Sequence, residues 1–279
     1  MSVDSPALTA APNGEVLLTV KDVSLRLGGN QILEKVNFEV HDRIRIGAVT
    51  GQIVGVLGPS GVGKTRLLRL IAGLDLPTAG EVRGQNGREL PQGTVGVVFQ
   101  NYPLLRHRTV RANLEVAGIA NGMGFAEAEK RAHELLEGFH LSDRGSFYPA
   151  QLSGGQRQRV AIAQQLVMPK TLLLMDEPFS GLDPIALEEV VRLIVTVANL
   201  NELNTIVIIT HDIRAALVVS DTVFMLGRER TPAGQVLPGA HIRATYDLVE
   251  RGLAWRKDVE ELAGFGELER EIKDKFKLL

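Results

Sequence analysis

The chain reads as an α/β protein with a mostly parallel sheet, an antiparallel β-layer near its N-terminus and a helical insert between two strands. Three observations predict this. Apolar runs of strand length recur and end in polar residues: Val95–Phe99 before Gln100, Leu172–Met175 before Asp176, and Ile206–Ile209 before Thr210 and His211. A fourth run, Gln52–Leu57, leads into a glycine-rich turn and then into helical spacing. Two alternating runs and a Gly-Gly-Asn turn come before all of these.

The elements follow in order. Residues 1–14 carry Ser, Pro, Ala and Asn without periodicity and read as a loose tail; they show no basic region and no apolar region of a signal peptide. Glu15–Val20 and Val23–Leu27 alternate as strands do, Gly28, Gly29 and Asn30 make a hairpin turn, and Gln31–Val40 returns as another strand. His41–Thr50 has no face and reads as a loop, a strand extension or an insertion. Thr65–Ala72 sets Leu67, Leu68 and Ile71 on one side of a helix. From Tyr102 to Met168 the text turns helical, which predicts an insert between two strands of one sheet. Beyond Gly227, turns and two prolines precede a predicted helix over Asp258–Leu279. Its apolar side is Val259, Leu262, Leu268, Ile272 and Phe276, with Glu269–Lys273 and Glu271–Lys275 as favourable i,i+4 pairs. This helix is expected to pack on its own chain; a regulatory or dimer contact is the alternative. The expected division is a tail over 1–14, a core domain over 15–227 and a C-terminal extension over 228–279.

Composition narrows the function classes. The 279 residues include 31 basic and 33 acidic ones, a net charge of −2, which excludes a strongly basic nucleic-acid binder. With 44% hydrophobic residues the chain can bury a large core without staples. It has no cysteine, so disulfides, Cys-ligated zinc and thiol chemistry are excluded. No run reaches the roughly 18 apolar residues of a membrane span.

The chemistry concentrates at three places. Gly58-Pro59-Ser60-Gly61-Val62-Gly63-Lys64-Thr65, followed by Arg66, matches the phosphate-loop pattern G-x-x-x-x-G-K-[ST]. Its glycines let backbone N–H groups converge on phosphates, Lys64 reaches the β and γ groups, and the Thr65 hydroxyl suits Mg²⁺. The helix that follows points its positive end at the same anion. The second place is the strand that ends in Asp176 and Glu177. Asp176 is expected to hold Mg²⁺ through its water shell, and Glu177 to polarise an attacking water. The third is Leu152-Ser153-Gly154-Gly155-Gln156. Ser153 is a good helix N-cap, and the two glycines allow a close backbone approach to a ligand.

With these strings in hand, the chain resembles the ATP-binding cassette (ABC) ATPases over roughly residues 16–227; the string LSGGQ carries most of the likeness. The resemblance implies the P-loop NTPase fold of these ATPases, ATP and Mg²⁺ as ligands, and two cassettes paired head to tail, with the phosphate loop of one facing Ser153–Gln156 of the other. It also implies that Gln100 contacts Mg²⁺ and water and senses the membrane partner, that Ser180–Asp183 lies at the dimer seam, and that His211 contacts the γ-phosphate. Closing and opening of the pair would pull on whatever docks beside Gln100. One cassette without a membrane span implies a peripheral subunit on the cytoplasmic face of the membrane, working under permease subunits and with a solute-binding protein. Asn101–Ala117 resembles the importers of the nitrate, sulfonate and taurine group. Alternatives are a lipid-trafficking or export cassette, or a soluble ABC ATPase.

Two departures from the family pattern stand out. The position where many cassettes stack an aromatic residue on adenine is Leu27 here, which offers apolar contact but no π-stack. Gln164 stands where an arginine is common, which predicts a packing or hydrogen-bonding difference.

Overall fold

A computed structural model describes residues 14–43, 51–90, 94–168, 170, 172–198, 205–256 and 258–279. The expected tail over 1–13 and most of the 41–50 segment, from residue 44 on, lie outside the described residues.

Strands β1 (Val16–Leu27) and β2 (Asn30–His41) form the antiparallel hairpin. Gly28 and Gly29 sit at φ 54° and 82°, the left-handed pair that a two-residue turn needs to match strand twist. The two alternating runs are one strand, interrupted where the register shifts between Val20 and Val23. Asp22 there takes φ 49°, and Asn37 Oδ1 accepts its backbone N–H at 2.8 Å.

A third strand, β4 (Ala79–Gly84), pairs with β1 on its other side, in the order β2-β1-β4. Its sequence, AGEVRG, carries one large apolar residue and gives no strand signal. Close approach to β1 holds it in place: a Cβ at Gly80 would lie 2.3 Å from the Asp22 carbonyl oxygen.

The larger sheet contains β3 (Gln52–Leu57), β5 (Val95–Val98), β6 (Leu172–Asp176), β7 (Thr205–Thr210), β8 (Thr222–Gly227) and β9 (His241–Asp247). The order is β5-β6-β7-β3-β8-β9; all pairs are parallel except β8 with β9. Every residue of β3, β6 and β7 is buried, which explains why these strands read as continuous apolar runs. Helix α1 (Lys64–Ile71) follows β3 and buries Leu67, Leu68, Leu70 and Ile71 against the hairpin and the sheet.

Between β5 and β6 come α2 (Val110–Ala120), α3 (Phe125–Gly138) and α4 (Gly154–Gln165), the helices of the insert. Gln164 Nε2 donates to the Asn113 carbonyl at 3.3 Å, joining α4 to α2. Gln165 Oε1 accepts from Val97 N at 3.2 Å, joining α4 to the edge strand β5. Helices α5 (Pro184–Ala198) and α6 (Ile213–Val219) follow β6 and β7.

The chain beyond Gly227 builds on the same sheet. Strand β9 adds an antiparallel edge, and helix α7 (Ala263–Phe276) buries Phe265, Leu268 and Ile272 against Tyr246, Leu248, Met225 and Leu57. The apolar stripe is therefore covered by its own chain, the first of the two expected arrangements. The helix begins five residues later than predicted, because Val259–Glu261 forms a 3₁₀ turn and Leu262 is extended at ψ 134°. Both ion pairs form, Lys273–Glu269 at 2.9 Å and Lys275–Glu271 at 2.8 Å.

Candidate functional site

The phosphate loop joins β3 to α1 at the carboxyl edge of the sheet. Gly61 and Gly63 take φ 76° and 116°, so this path suits glycine at both positions. Gly58 is glycine for another reason, since a Cβ there would press to 2.5 Å on the Leu226 carbonyl of β8. Val62 points into the core and is 5% exposed. Helix α1 has no side-chain cap and no acidic residue in its first turn. Helices α4 and α6, in contrast, are capped by Ser153 and Asp212. The first-turn N–H groups of α1 have no acceptor within the helix, and together with the positive helix end they suit an external anion.

Lys64 is buried and fully engaged. Its Nζ donates to the carbonyls of Gly58 at 2.8 Å and Pro59 at 3.0 Å, and pairs with Glu177 Oε1 at 3.2 Å. Thr65 Oγ1 donates to Asp176 Oδ1 at 3.2 Å, which brings the end of β6 to the start of α1. Burial holds the Asp176 carboxyl above the ordinary carboxylate range, partly opposed by the Thr65 hydrogen bond. Arg66 reaches back to Asp75 at 3.5 Å.

Glu177 sits in left-handed backbone at φ 50°, a conformation that costs a non-glycine residue about 1–3 kcal/mol. Its own N–H donates to the Ile209 carbonyl of β7 at 2.7 Å, which holds the turn. One carboxylate oxygen meets Lys64; the other accepts from His211 Nδ1 at 2.8 Å and from His211 N at 3.3 Å. A carboxylate only accepts, so Nδ1 carries the proton and Nε2 is left for another partner. Behind this turn, buried Gln158 of α4 donates to the Pro178 carbonyl at 3.1 Å.

Gln100, at the end of β5, donates through Nε2 to Ser180 Oγ at 3.3 Å. Gln100, Ser180, Glu177, His211, Lys64 and Thr65 line one cleft of about 570 Å³ with Ser60, Gly61, Gly63 and Arg66. Leu27 and Ile32 of the hairpin also line it, with Ile32 lying against Gly63 of the loop. Most of the residues expected at the site thus meet within one chain. Ile32 carried no signal in the sequence, because an apolar strand residue has many uses. Ser180 was expected at a dimer seam and lines the cleft as well.

Ser153, Gly154, Gly155 and Gln156 do not line the cleft. They begin α4 in a capping box: Ser153 Oγ accepts from Gln156 N at 3.2 Å, and Gln156 Oε1 accepts from Ser153 N at 2.9 Å. A Cβ at Gly154 or Gly155 would meet nothing within 4 Å, so packing inside this chain does not call for either glycine.

The donor set fits a hydrated Mg²⁺. Thr65 and Asp176 supply hard oxygens side by side, while among the described residues no group of three or more His, Cys, Asp or Glu could hold a metal. That pattern suits a cation that keeps waters and shares the oxygens of a phosphate substrate.

The family model described as "ABC transporter" matches residues 41–180, half of the chain. A sulfate/thiosulfate import ATP-binding protein of Gloeobacter violaceus is 40% identical over 70% of this chain and 57% of its own length. The L-cystine import ATP-binding protein of Bacillus subtilis is 36% identical over 75% of this chain and 86% of its own. The chain spans about three fifths of the length of the sulfate/thiosulfate relatives it matches first. A dimeric ATP-binding cassette solved in a post-hydrolysis state, with ADP and phosphate bound, superposes with a TM-score of 0.66 at 29% identity, covering 83% of this chain and 99% of that one. The phosphate loop, the Asp-Glu strand end and the capped LSGGQ helix occupy one such fold, and the chain belongs to the ABC transporter family.

Proposed function

We propose that this chain is the ATP-hydrolysing subunit of an importer of a small solute. One observation carries the reading. The uncapped start of α1 with Lys64, the Thr65–Asp176 pair and the Glu177–His211 pair converge on one cleft. An anion cradle, oxygen donors for a cation and a carboxylate base are the parts that phosphoryl transfer to water requires.

Lys64 and the backbone N–H groups of the loop hold the β and γ phosphates. A γ-phosphate competes with Glu177 for Lys64 and so frees that carboxylate oxygen. Glu177 accepts a proton from water as the water oxygen bonds to the γ-phosphorus. The bond from phosphorus to the bridging oxygen breaks, and ADP leaves with the electron pair. His211 keeps Glu177 oriented through Nδ1 and offers Nε2 to the phosphate. Thr65, Asp176 and Gln100 would hold Mg²⁺, which would supply charge neutralisation at the phosphate oxygens.

Ser153–Gln156 starts a helix outside the chain's own cleft and presents glycines that its own packing does not need. This supports a head-to-tail pair in which each copy completes the other's site. A second cavity, of about 540 Å³ and lined by Tyr102, Leu104, Arg106, Pro149 and Arg157, lies beside Gln100 and suits a segment of a permease. No helix among the described residues is long and apolar enough to cross a membrane. In this reading the subunit works on the cytoplasmic face under permease subunits, as the import ATP-binding relatives suggest. A solute-binding protein completes the importer. For cargo we favour a small anion of the nitrate, sulfonate or taurine kind; the Asn101–Ala117 text and the sulfate/thiosulfate relatives support an oxyanion.

The test is Mg²⁺-dependent phosphate release by the full chain, together with its co-purification with an integral partner from native membranes. Hydrolysis with a membrane partner is expected. The absence of both ATP binding and a membrane partner would end this reading.

A further inference from the structure

We propose that Gln158 is a positioning residue for hydrolysis: from α4 it holds the Pro178 carbonyl and so fixes the backbone turn that aims Glu177. The inference rests on the hydrolysis reading above, with Glu177 as the base. Glu177 stands at φ 50°, which a non-glycine residue keeps only where its surroundings over-determine it. Ser180 N closes the turn on the Glu177 carbonyl at 3.2 Å. Two neighbours hold it from outside: the Ile209 carbonyl accepts from Glu177 N at 2.7 Å, and Gln100 Nε2 donates to Ser180 Oγ at 3.3 Å. Pro178 has no N–H, so its carbonyl is the one backbone polar group by which it can be held. Gln158 Nε2 donates to that carbonyl at 3.1 Å.

Packing alone would not choose glutamine here. Helix α4 buries Gln158 with Val160, Ala161, Ile162 and Ala163, and Gln158 is 1% exposed. A buried amide is costly unless both its ends are satisfied. Among the described residues Gln158 Oε1 has no hydrogen-bond partner. Turning the amide over would set its oxygen against the Pro178 carbonyl, so Nε2 has to face it. A methionine would fill a similar volume and leave no acceptor unpaired. What glutamine adds is a donor aimed at the residue after the base. Its net contribution to stability is small, and its effect falls on where Glu177 points.

The experiment compares Gln158→Met and Gln158→His in the full chain, with Mg²⁺, by steady-state phosphate release, ATP titration and thermal melting. Gln158→Met should melt within about 4 °C of the parent and bind ATP within about twofold. Its kcat should fall roughly 10- to 100-fold with KM nearly unchanged, because the base is misaimed while the phosphate loop is intact. Gln158→His offers a ring N–H at similar reach and should recover most of the lost kcat. In a Glu177→Gln chain, Gln158→Met should lower the residual turnover no further, since it acts through Glu177. Parental kcat in Gln158→Met, no recovery in Gln158→His, or an additive loss with Glu177→Gln would each overturn the proposal. So would a melting temperature more than about 10 °C lower, which would make the bond a structural one. Absence of turnover in the unaltered chain would instead sink the hydrolysis reading, and this role with it.

Discussion

Glu177 Oε1 lies 3.2 Å from Lys64 Nζ, so the residue proposed as base and the residue proposed to hold phosphate neutralise each other. Lys64 is buried at 5% exposed, and Glu177 is partly buried at 12%. Separating two such charges is costly unless a new anion meets the lysine. In the proposed mechanism a phosphate group does this and frees Glu177 for water, so that nucleotide binding and activation of the base would be one event.

Glu177→Gln tests that link. The amide still accepts from His211 but takes up no proton. ATP affinity should stay within a few-fold of the parent, and steady-state turnover should fall by roughly 10²–10⁴. Phosphate release measured beside equilibrium binding separates the two effects. Normal turnover would remove Glu177 as the base.

Lys64→Ala removes the cation at the centre of the loop. A charge-assisted hydrogen bond contributes about 1.5–3 kcal/mol, so ATP affinity should fall roughly 10- to 150-fold. Titration calorimetry reads this directly, and an unchanged dissociation constant would contradict the loop assignment.

Asp176→Asn separates stability from function. The carboxylate is 5% exposed and its ionised form is disfavoured by burial. An asparagine keeps the shape and still accepts from Thr65. Without metal at neutral pH, thermal melting should rise by about 2–4 °C, while Mg²⁺ should cease to strengthen ATP binding. A lower melting temperature would show that the buried charge is well compensated.

Tyr102 supplies a pH test at the groove beside Gln100. Burial pushes its phenol from 10.0 up to about 12. The fold therefore favours the neutral phenol. This contribution is complete below pH 10 and is lost as pH rises toward 12. Tyr102→Phe cannot ionise, so the stability of the parent relative to this variant should decline across that window. Urea denaturation at pH 8, 10 and 11 measures the difference; a constant difference would place the phenol in water.

Ile272→Ala probes the C-terminal helix. The side chain is fully buried among Phe265, Leu268 and Tyr246, and its truncation should cost about 2–5 kcal/mol. Lys273→Ala, which breaks an ion pair whose lysine is exposed, should change stability by about 1 kcal/mol or less. Chemical denaturation of both variants distinguishes core packing from surface charge. Equal effects would mean that α7 does not anchor the sheet through its apolar face.

Much of the fold is legible in the text. Strand β3, its glycine turn and helix α1 are contiguous, and each residue's preference agrees with its neighbours'. Strands β4 and β9 are not legible. AGEVRG and HIRATYD have few apolar residues and become strands because β1 and β8 offer unpaired edges; strand preference depends on such context. Ile32 belongs to the cleft for the same kind of reason: its chemistry is ordinary and its placement is decided by hairpin packing.

By itself the sequence determined the local devices: the left-handed glycines at 61 and 63, the Ser153–Gln156 capping box, the buried strands and the amphipathic α7. These depend on interactions within a few residues, which backbone sterics and side-chain spacing set directly. Only the tertiary structure decided which devices meet. Thr65 and Asp176 are 111 positions apart, and Glu177 and His211 are 34 apart. The order β6-β7-β3 sets these strand ends side by side. That order follows from burying both faces of the whole sheet at once, a condition no local stretch of sequence can express.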